Sequence, residues 1–217
     1  MNFFLSVLLV ILVATLCPAQ EKQYSIVFLN RNPDAAQLSK EDLKKIMDGH
    51  LSTQERLWKE GKLIASGPFE GGGGMFIMTS SDIAQVKEWI SIDPSIVADR
   101  WIIEVFPYKP RYGSVCPVGE NYEMTSHAFV RFDAIVSKFT ANNFPALMRE
   151  HDQYLKALQA TGNVLTEVIF GDNVGGILVM KGELDPIVIE GDPAVKAGLI
   201  ETKQKKLFIA KGSFCEK

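Results

Sequence analysis

Apolar and polar positions along this chain change rhythm several times, and the changes come in the same order twice. Tyr24 to Leu29 is a short β-rich apolar run, and Asn30 to Ala36 carries the Asn, Pro and Asp of a connection. A helical period follows. Ser39 with Asp42 makes a capping pair, and Leu43, Ile46, Met47, His50, Leu51, Leu57 and Trp58 fall on one stripe that Gly61 ends. Lys62 to Ser66 and Met75 to Thr79 read as strands joined through Gly67-Pro68 and Gly71 to Gly74. Ile83, Val86 and Ile90 mark the buried face of a second helix, Pro94 limits it, and Trp101 to Phe106 is a fourth strand. The predicted order is βαββαβ.

The second half repeats it. Ala128 to Phe132, a helix from about Pro145 to Thr161, strands near Val164 to Phe170 and Gly176 to Met180, and a last strand within Lys206 to Ala210 follow in turn. Its second helix, within Glu183 to Gly191, holds Pro186 and the β-branched run Ile187-Val188-Ile189 and is expected to be short or irregular. A shift of 101 positions lays His50 on His151, Leu57 on Leu158, Gly61 on Gly162, Phe69 on Phe170 and Gly74 on Gly175, with no gap from His50 to Met78. Asp93-Pro94 falls on Asp192-Pro193 once the second copy is shortened by two residues.

These boundaries give a first unit over residues 20–109, a linker over 110–123 and a divergent second unit over 124–217. Pro107, Pro110, Gly113, Pro117 and Gly119 predict irregular structure from Pro107 to Met124. A βαββαβ unit forms an antiparallel sheet with both helices on one face, and the bare face needs cover. Two such units can cover each other. The expected fold is α+β: two tandem ferredoxin-like units packed sheet to sheet as a pseudo-dimeric α/β barrel, with a pocket in each copy between sheet and helices or near the rims.

Residues Phe3 to Leu16 form an uncharged apolar run of 14. Crossing a bilayer as a helix takes ~20 residues, so the run reads as the core of a signal peptide. Cys17-Pro18-Ala19 places cleavage between Ala19 and Gln20, with a secreted or periplasmic product and no membrane attachment after cleavage. An uncleaved anchor and a lipidated Cys17 stay open, although Leu16 is bulky for lipidation and no Lys or Arg precedes the run. Export leaves Cys116 and Cys215, each just beyond a last strand, and parity in an oxidising compartment predicts that they pair rather than remain free thiols.

With 47% hydrophobic residues in 217, the chain can bury a sizeable core. A net charge of -3 with scattered Lys and Arg gives no basic stripe, which argues against nucleic acid as a partner. No Cys/His cluster has zinc spacing and no Ser-His-Asp motif is recognisable, so neither metal nor cofactor is expected. The run Gly71 to Gly74 lacks the ending of a phosphate loop and reads as a hairpin connection or a lip over a pocket. Arg100, Lys109 and Arg111 either attract an anionic substrate or form a solvated surface, and His127 has no counterpart and begins a strand.

The candidate chemistry lies in the repeated histidines. His50 and His151, two of only three in the chain, occupy equivalent places on the apolar stripes of their helices and point inward. An inward histidine is by default a hydrogen-bonded core residue; its recurrence at one place in both copies weighs toward function. Asp-Pro at Asp93 and Asp192 is ordinarily a turn former. The functional alternative is a carboxylate that orients the imidazole through one ring nitrogen and leaves the other to move a proton.

His50, then Glu60-Gly61-Lys62-Leu63-Ile64-Ala65-Ser66-Gly67-Pro68, the glycine loop and Asp93-Pro94 together resemble the YCII-related family of the dimeric α/β-barrel class. In the second copy Asp192-Pro193-Ala194-Val195-Lys196-Ala197-Gly198 matches the family's late motif, while Val168-Ile169 replaces Gly67-Pro68. The resemblance implies a ferredoxin-like unit that usually dimerises. It also implies a His-Asp dyad, carried onto His50 with Asp93 and secondarily onto His151 with Asp192. A dechlorinating relative points to proton-transfer or elimination chemistry of lyase or isomerase type on small cyclic or aromatic molecules. The alternative is a non-catalytic small-ligand-binding protein on the same fold. Within one chain the two units make a pseudo-dimer, and further oligomerisation is open. For the exported protein, N-terminal sequencing is expected to begin at Gln20; a sequence beginning at Met1, or a lipidated Cys17, overturns the leader.

Overall fold

The computed structural model describes residues 23–140, 144–170, 175–183 and 185–216, so the expected leader lies outside the described residues. The first unit runs β1 (Tyr24–Arg31), α1 (Lys40–Lys59), β2 (Leu63–Pro68), β3 (Gly74–Met78), α2 (Ile83–Ile90), α3 (Pro94–Val97) and β4 (Trp101–Tyr112). The second repeats it as β5 (Met124–Ala134), α4 (Phe144–Ala160), β6 (Val164–Phe170), β7 (Gly175–Lys181), α5 (Pro186–Glu190), α6 (Pro193–Lys196) and β8 (Ile200–Ala210). Local chemistry explains the boundaries. Ser39 caps α1 by accepting the Asp42 N–H, and Asp82 caps α2 through the N–H groups of Ala84 and Gln85. In the second unit Pro186 does not break a helix. It opens the five-residue α5 behind the N-cap Asp185, where its missing N–H costs nothing.

Among the described residues the pairings between these strands are antiparallel, and the strands lie in the order β2-β3-β1-β4-β6-β7-β5-β8. The two ends of this row also meet. Phe69 at the end of β2 bridges Leu207 of β8, and the Glu70 N–H donates to the Lys206 carbonyl at 2.9 Å. Two units thus close into one barrel through β4 against β6 on one side and β2 against β8 on the other. At the second seam a Cβ on Gly67 would lie 2.1 Å from the Phe208 carbonyl oxygen, so only glycine permits that approach.

Inside the barrel the apolar faces of both units share one core. Ile26, Phe28, Met75 and Ile77 of the first meet Phe129, Val168, Phe170, Ile177, Val179, Leu207 and Ile209 of the second. Phe28 contacts Phe129 and Phe170 edge-on at centroid distances of 6.0 and 5.9 Å, and Phe106 stacks on Phe170 at 4.5 Å. Each unit keeps a separate core between sheet and helices: Val27, Leu29, Leu57, Phe76, Val86 and Ile90 in the first, Val130, Phe132, Leu155, Leu178 and Ile189 in the second.

Two expectations need correction. The prolines of Pro107 to Tyr112 do not interrupt the chain: β4 continues to Tyr112, pairing first with β1 as far as Tyr108 and then with β6 from Lys109. Pro110 sits beside a register shift in that second pairing, a place where a strand tolerates a missing donor. The gapless repeat also fails in the hairpin. Pro68 faces Gly74, whereas its counterpart Ile169 faces Gly176, so the second copy holds one more residue there and Gly74 corresponds to Gly176, not Gly175. Cys116 and Cys215 are disulfide-bonded with Cα atoms 5.1 Å apart, tying the linker to the carboxyl-terminal tail.

Because both seams and the shared core are made between units, each half alone exposes an apolar sheet face and two strand edges. Separately produced halves are expected to be poorly folded and to assemble when mixed, as followed by circular dichroism and sedimentation. A well-folded monomeric first half overturns this.

Candidate active site

The first unit brings together the residues picked out in its sequence. Helix α1 presents His50 to the sheet, and the turn after α2 presents Asp93, the N-cap of α3. Gly49 allows their approach, since a Cβ there would lie 2.8 Å from Cγ of Pro94. His50 Nδ1 and Asp93 Oδ2 are 2.8 Å apart, and the two residues are 7% and 1% exposed. Asp93 is thus both the turn former and the partner of the imidazole: its Oδ1 accepts the Ser95 N–H at 2.8 Å, which caps α3. Burial pushes the Asp93 carboxyl upward, but hydrogen bonds with His50 and Ser95 outweigh it and hold the group below the usual carboxylate range. An ionised carboxylate only accepts, so the proton of a neutral His50 belongs on Nδ1 and Nε2 keeps its lone pair. Among the described residues no hydrogen bond reaches Nε2.

That nitrogen belongs to a ring that lines a cavity of about 1000 Å³. The helical stripe of α1 explains it. Buried residues of the helix are His50, Thr53 and Leu57, whereas Met47 and Leu51 are 37% and 60% exposed and line the cavity with Trp58. The stripe predicted as core therefore splits, half packing and half facing open space. Phe76 stacks on the imidazole at 5.8 Å and Trp101 stands at 6.5 Å, both on the cavity wall. Gly72 to Gly74 form a rim, as the lip reading expected, with positive φ at Gly71, Gly72 and Gly73. The remaining wall comes from outside the unit: Val118, Glu120 and Tyr122 of the linker, Met124, Ala210 and Ser213.

The second unit forms the same contact in different surroundings. His151 Nδ1 and Asp192 Oδ2 are 2.5 Å apart and both side chains are buried, with Phe132 edge-on to the ring at 5.7 Å. Around it, polar groups occupy positions that line the cavity in the first unit. Leu51, Trp58 and Ser66 correspond to Asp152, Gln159 and Glu167. Trp101 and Ile200 open the last strand of each unit, and ten residues beyond them stand Arg111 and Ala210. Arg111 donates to Glu167 at 2.6 Å and to Asp152 at 2.8 Å, and Gln159 also bonds Glu167, which is 2% exposed. Arg111 is thus held in a network between units rather than displayed to an anion, and this network was not legible in sequence because its members come from three elements of two units. Arg100 donates to the Ala36 carbonyl at 2.6 Å and secures a loop. His127 lies on β5 rather than opening it, is 5% exposed, and is held below the usual histidine range by burial.

The fold is a pseudo-dimeric α/β barrel made of two ferredoxin-like units within one chain. Residues 14–109 match the YCII-related domain family, a span that takes in nearly the whole first unit. Comparison with curated proteins gives no match. Among solved structures, a "putative monooxygenase" from Lactobacillus acidophilus NCFM is similar with 10% identity and a TM-score of 0.44, over 86% of this chain and 93% of that one. A "putative monooxygenase" from Fusobacterium nucleatum subsp. nucleatum ATCC 25586 is similar with 9% identity and a TM-score of 0.45, over 87% and 92%. Similarity at this level says nothing of substrate or reaction.

A depressed carboxyl contributes stability that is present above its unfolded value of ~3.9 and is lost as pH falls through the folded value. Asp93→Asn is therefore expected to be less stable than wild type at neutral pH, with the gap in melting temperature narrowing as pH falls below ~4. A gap that stays constant down to acid pH rules out an ionised, stabilising Asp93.

Proposed function

We propose that the protein is an exported small-molecule enzyme of the YCII-related type, with one principal site in its first unit and a divergent second unit as structural partner. The observation that carries this reading is His50, paired through Nδ1 with Asp93 at 2.8 Å, on the wall of a cavity of about 1000 Å³. In this reading His50 is the general base and acid. Its Nε2 takes a proton from a substrate carbon or hydroxyl, and Asp93 stabilises the imidazolium that forms. The electron pair released from the substrate forms a new double bond. In an elimination a leaving group departs with its own pair; in an isomerisation His50 returns the proton elsewhere. The aromatic walls Trp58, Phe76 and Trp101 suit a flat apolar substrate, in keeping with the small cyclic or aromatic molecules expected from the resemblance.

Preference for the first unit has two supports. Gly67 and the glycine rim are kept there, and the corresponding volume of the second unit contains the Arg111, Glu167, Gln159 and Asp152 network. His151 and Asp192 are the secondary pair. Export rests on the amino-terminal apolar run and accords with the Cys116–Cys215 disulfide.

The test begins with a thermal-shift screen of small cyclic and aromatic compounds on wild type and His50→Ala, followed by turnover assays on the compounds that bind. An acid/base histidine contributes ~10²- to 10⁴-fold to rate, so His50→Ala is expected to lose that much turnover while keeping its fold, and His151→Ala far less. Turnover indifferent to both His50→Ala and Asp93→Asn removes the dyad, and binding without turnover of any compound leaves the non-catalytic binding protein.

A further inference from the structure

The two dyads differ behind the aspartate. In both units the N-cap bond of the Asp-Pro turn comes from a backbone N–H, that of Ser95 in the first and Ala194 in the second, each at 2.8 Å. The second unit therefore shows that neither the cap nor the His-Asp contact needs a hydroxyl at this position. The first unit nevertheless has one, on a side chain with no solvent exposure. Ser95 Oγ lies 2.6 Å from Asp93 Oδ1 and 3.1 Å from His50 Nδ1, and it accepts the Trp101 Nε1–H at 2.8 Å. Trp101 has Ile200 as its counterpart, so both members of this chain, the indole and the hydroxyl, are missing from the second unit.

Directions of donation follow from the inventory. Indole N–H can only donate, so the Ser95 oxygen accepts from Trp101 and its own O–H is free to donate; the strong acceptor in reach is Asp93 Oδ1. Oδ1 thus receives two bonds and Oδ2 faces the imidazole. The second donor on Oδ1 restrains rotation of the carboxylate beyond what the single N–H bond does for Asp192. Trp101 is also a wall of the cavity, so the chain runs from a ligand-facing surface to the dyad.

We propose that Ser95, set by Trp101, is a positioning residue that fixes the Asp93 carboxylate so that His50 holds its proton on Nδ1 and presents Nε2 to the cavity. This rests on the reading of His50 as the acid/base group, but its test does not. Loss of the hydroxyl leaves Asp93 with more uncompensated negative charge, which favours the imidazolium, and leaves Oδ1 with only the single N–H bond that Asp192 has, so the carboxylate is less firmly held.

The test is ¹⁵N side-chain NMR of the histidines in the full-length mature protein, read across pH, for wild type, Ser95→Ala and Trp101→Phe. Wild-type His50 is expected to be the Nδ1–H tautomer when neutral. In Ser95→Ala the share of the Nε2–H tautomer should grow toward that of His151 and the His50 midpoint should rise, with a smaller rise in Trp101→Phe, which removes the indole N–H with part of the ring but keeps the Ser95 hydroxyl. His151 in the same molecule is the internal reference and should not move, since its dyad already has alanine there. The other charged groups of the cavity, Glu55, Lys59 and Glu120, are the same in every variant. A His50 tautomer and midpoint unchanged in both variants, while Asp93→Asn alters them, overturns the proposal. Should Ser95→Ala fail to fold, Trp101→Phe decides alone. Shifted tautomers with turnover indifferent to His50→Ala sink the catalytic reading and leave the positioning role standing.

Discussion

An antiparallel four-stranded sheet with both helices on one face has three unsatisfied surfaces: a bare apolar face and two strand edges with unpaired backbone groups. Closure of the barrel answers all three at once. The β4–β6 and β2–β8 seams pair the edges, and the enclosed volume buries Phe28, Met75, Phe129, Phe170, Ile177 and Ile209. The first seam is reached by a strand that outgrows its own unit, since β4 leaves β1 at Tyr108 and goes on to β6, whereas at the second β8 stays paired with β5 along its whole length and meets Phe69 just beyond β2. The cavity beside His50 depends on the same geometry, because Ala210 comes from the partner unit's last strand and the linker supplies Val118, Glu120 and Tyr122.

Covalent fusion of the two units changes what each may become. In a dimer of identical chains any substitution appears in both sites, whereas here the two can diverge without disturbing the seams. Arg111 and Ala210 stand at equivalent places, one spanning Glu167 and Asp152, the other leaving room. A buried carboxylate such as Glu167 is costly unless paired, so that network has to hold together as a set.

Much of this was legible in sequence because the signals are local. Helix and strand periods, the Ser39 cap, the glycine rim and the recurrence of His50 at His151 all lie within short windows, and they led to the barrel and to both His-Asp contacts. What escaped depends on neighbours from elsewhere. Pro107 and Pro110 spell a loop when read alone and become strand only because β1 and then β6 pair with the backbone around them. The extra residue in the second hairpin is invisible to a shift matched on Gly175, since Gly175 and Gly176 are identical and only the cross-strand register distinguishes them. Ser95 carries no local signal, because its bonds with Asp93 Oδ1 and Trp101 Nε1 depend on how the Asp-Pro turn and the last strand meet in space.

The split stripe of α1 shows how a site is cut into such a fold. Leu57 packs under the helix with Val86 and Ile90, while Met47 and Leu51 on the same apolar stripe face the cavity. Full burial of a leucine is worth ~1.5–3 kcal/mol relative to full exposure, and Leu51, 60% exposed, forgoes more than half of that. The second unit meets the same problem with Asp152 at that position, where exposure carries no such loss and Arg111 is at hand. One solution keeps an apolar wall wet and open beside an oriented imidazole; the other gives up the wall and stabilises the seam. The same pattern of apolar positions thus ends in an open wall in one half and in a polar seam in the other.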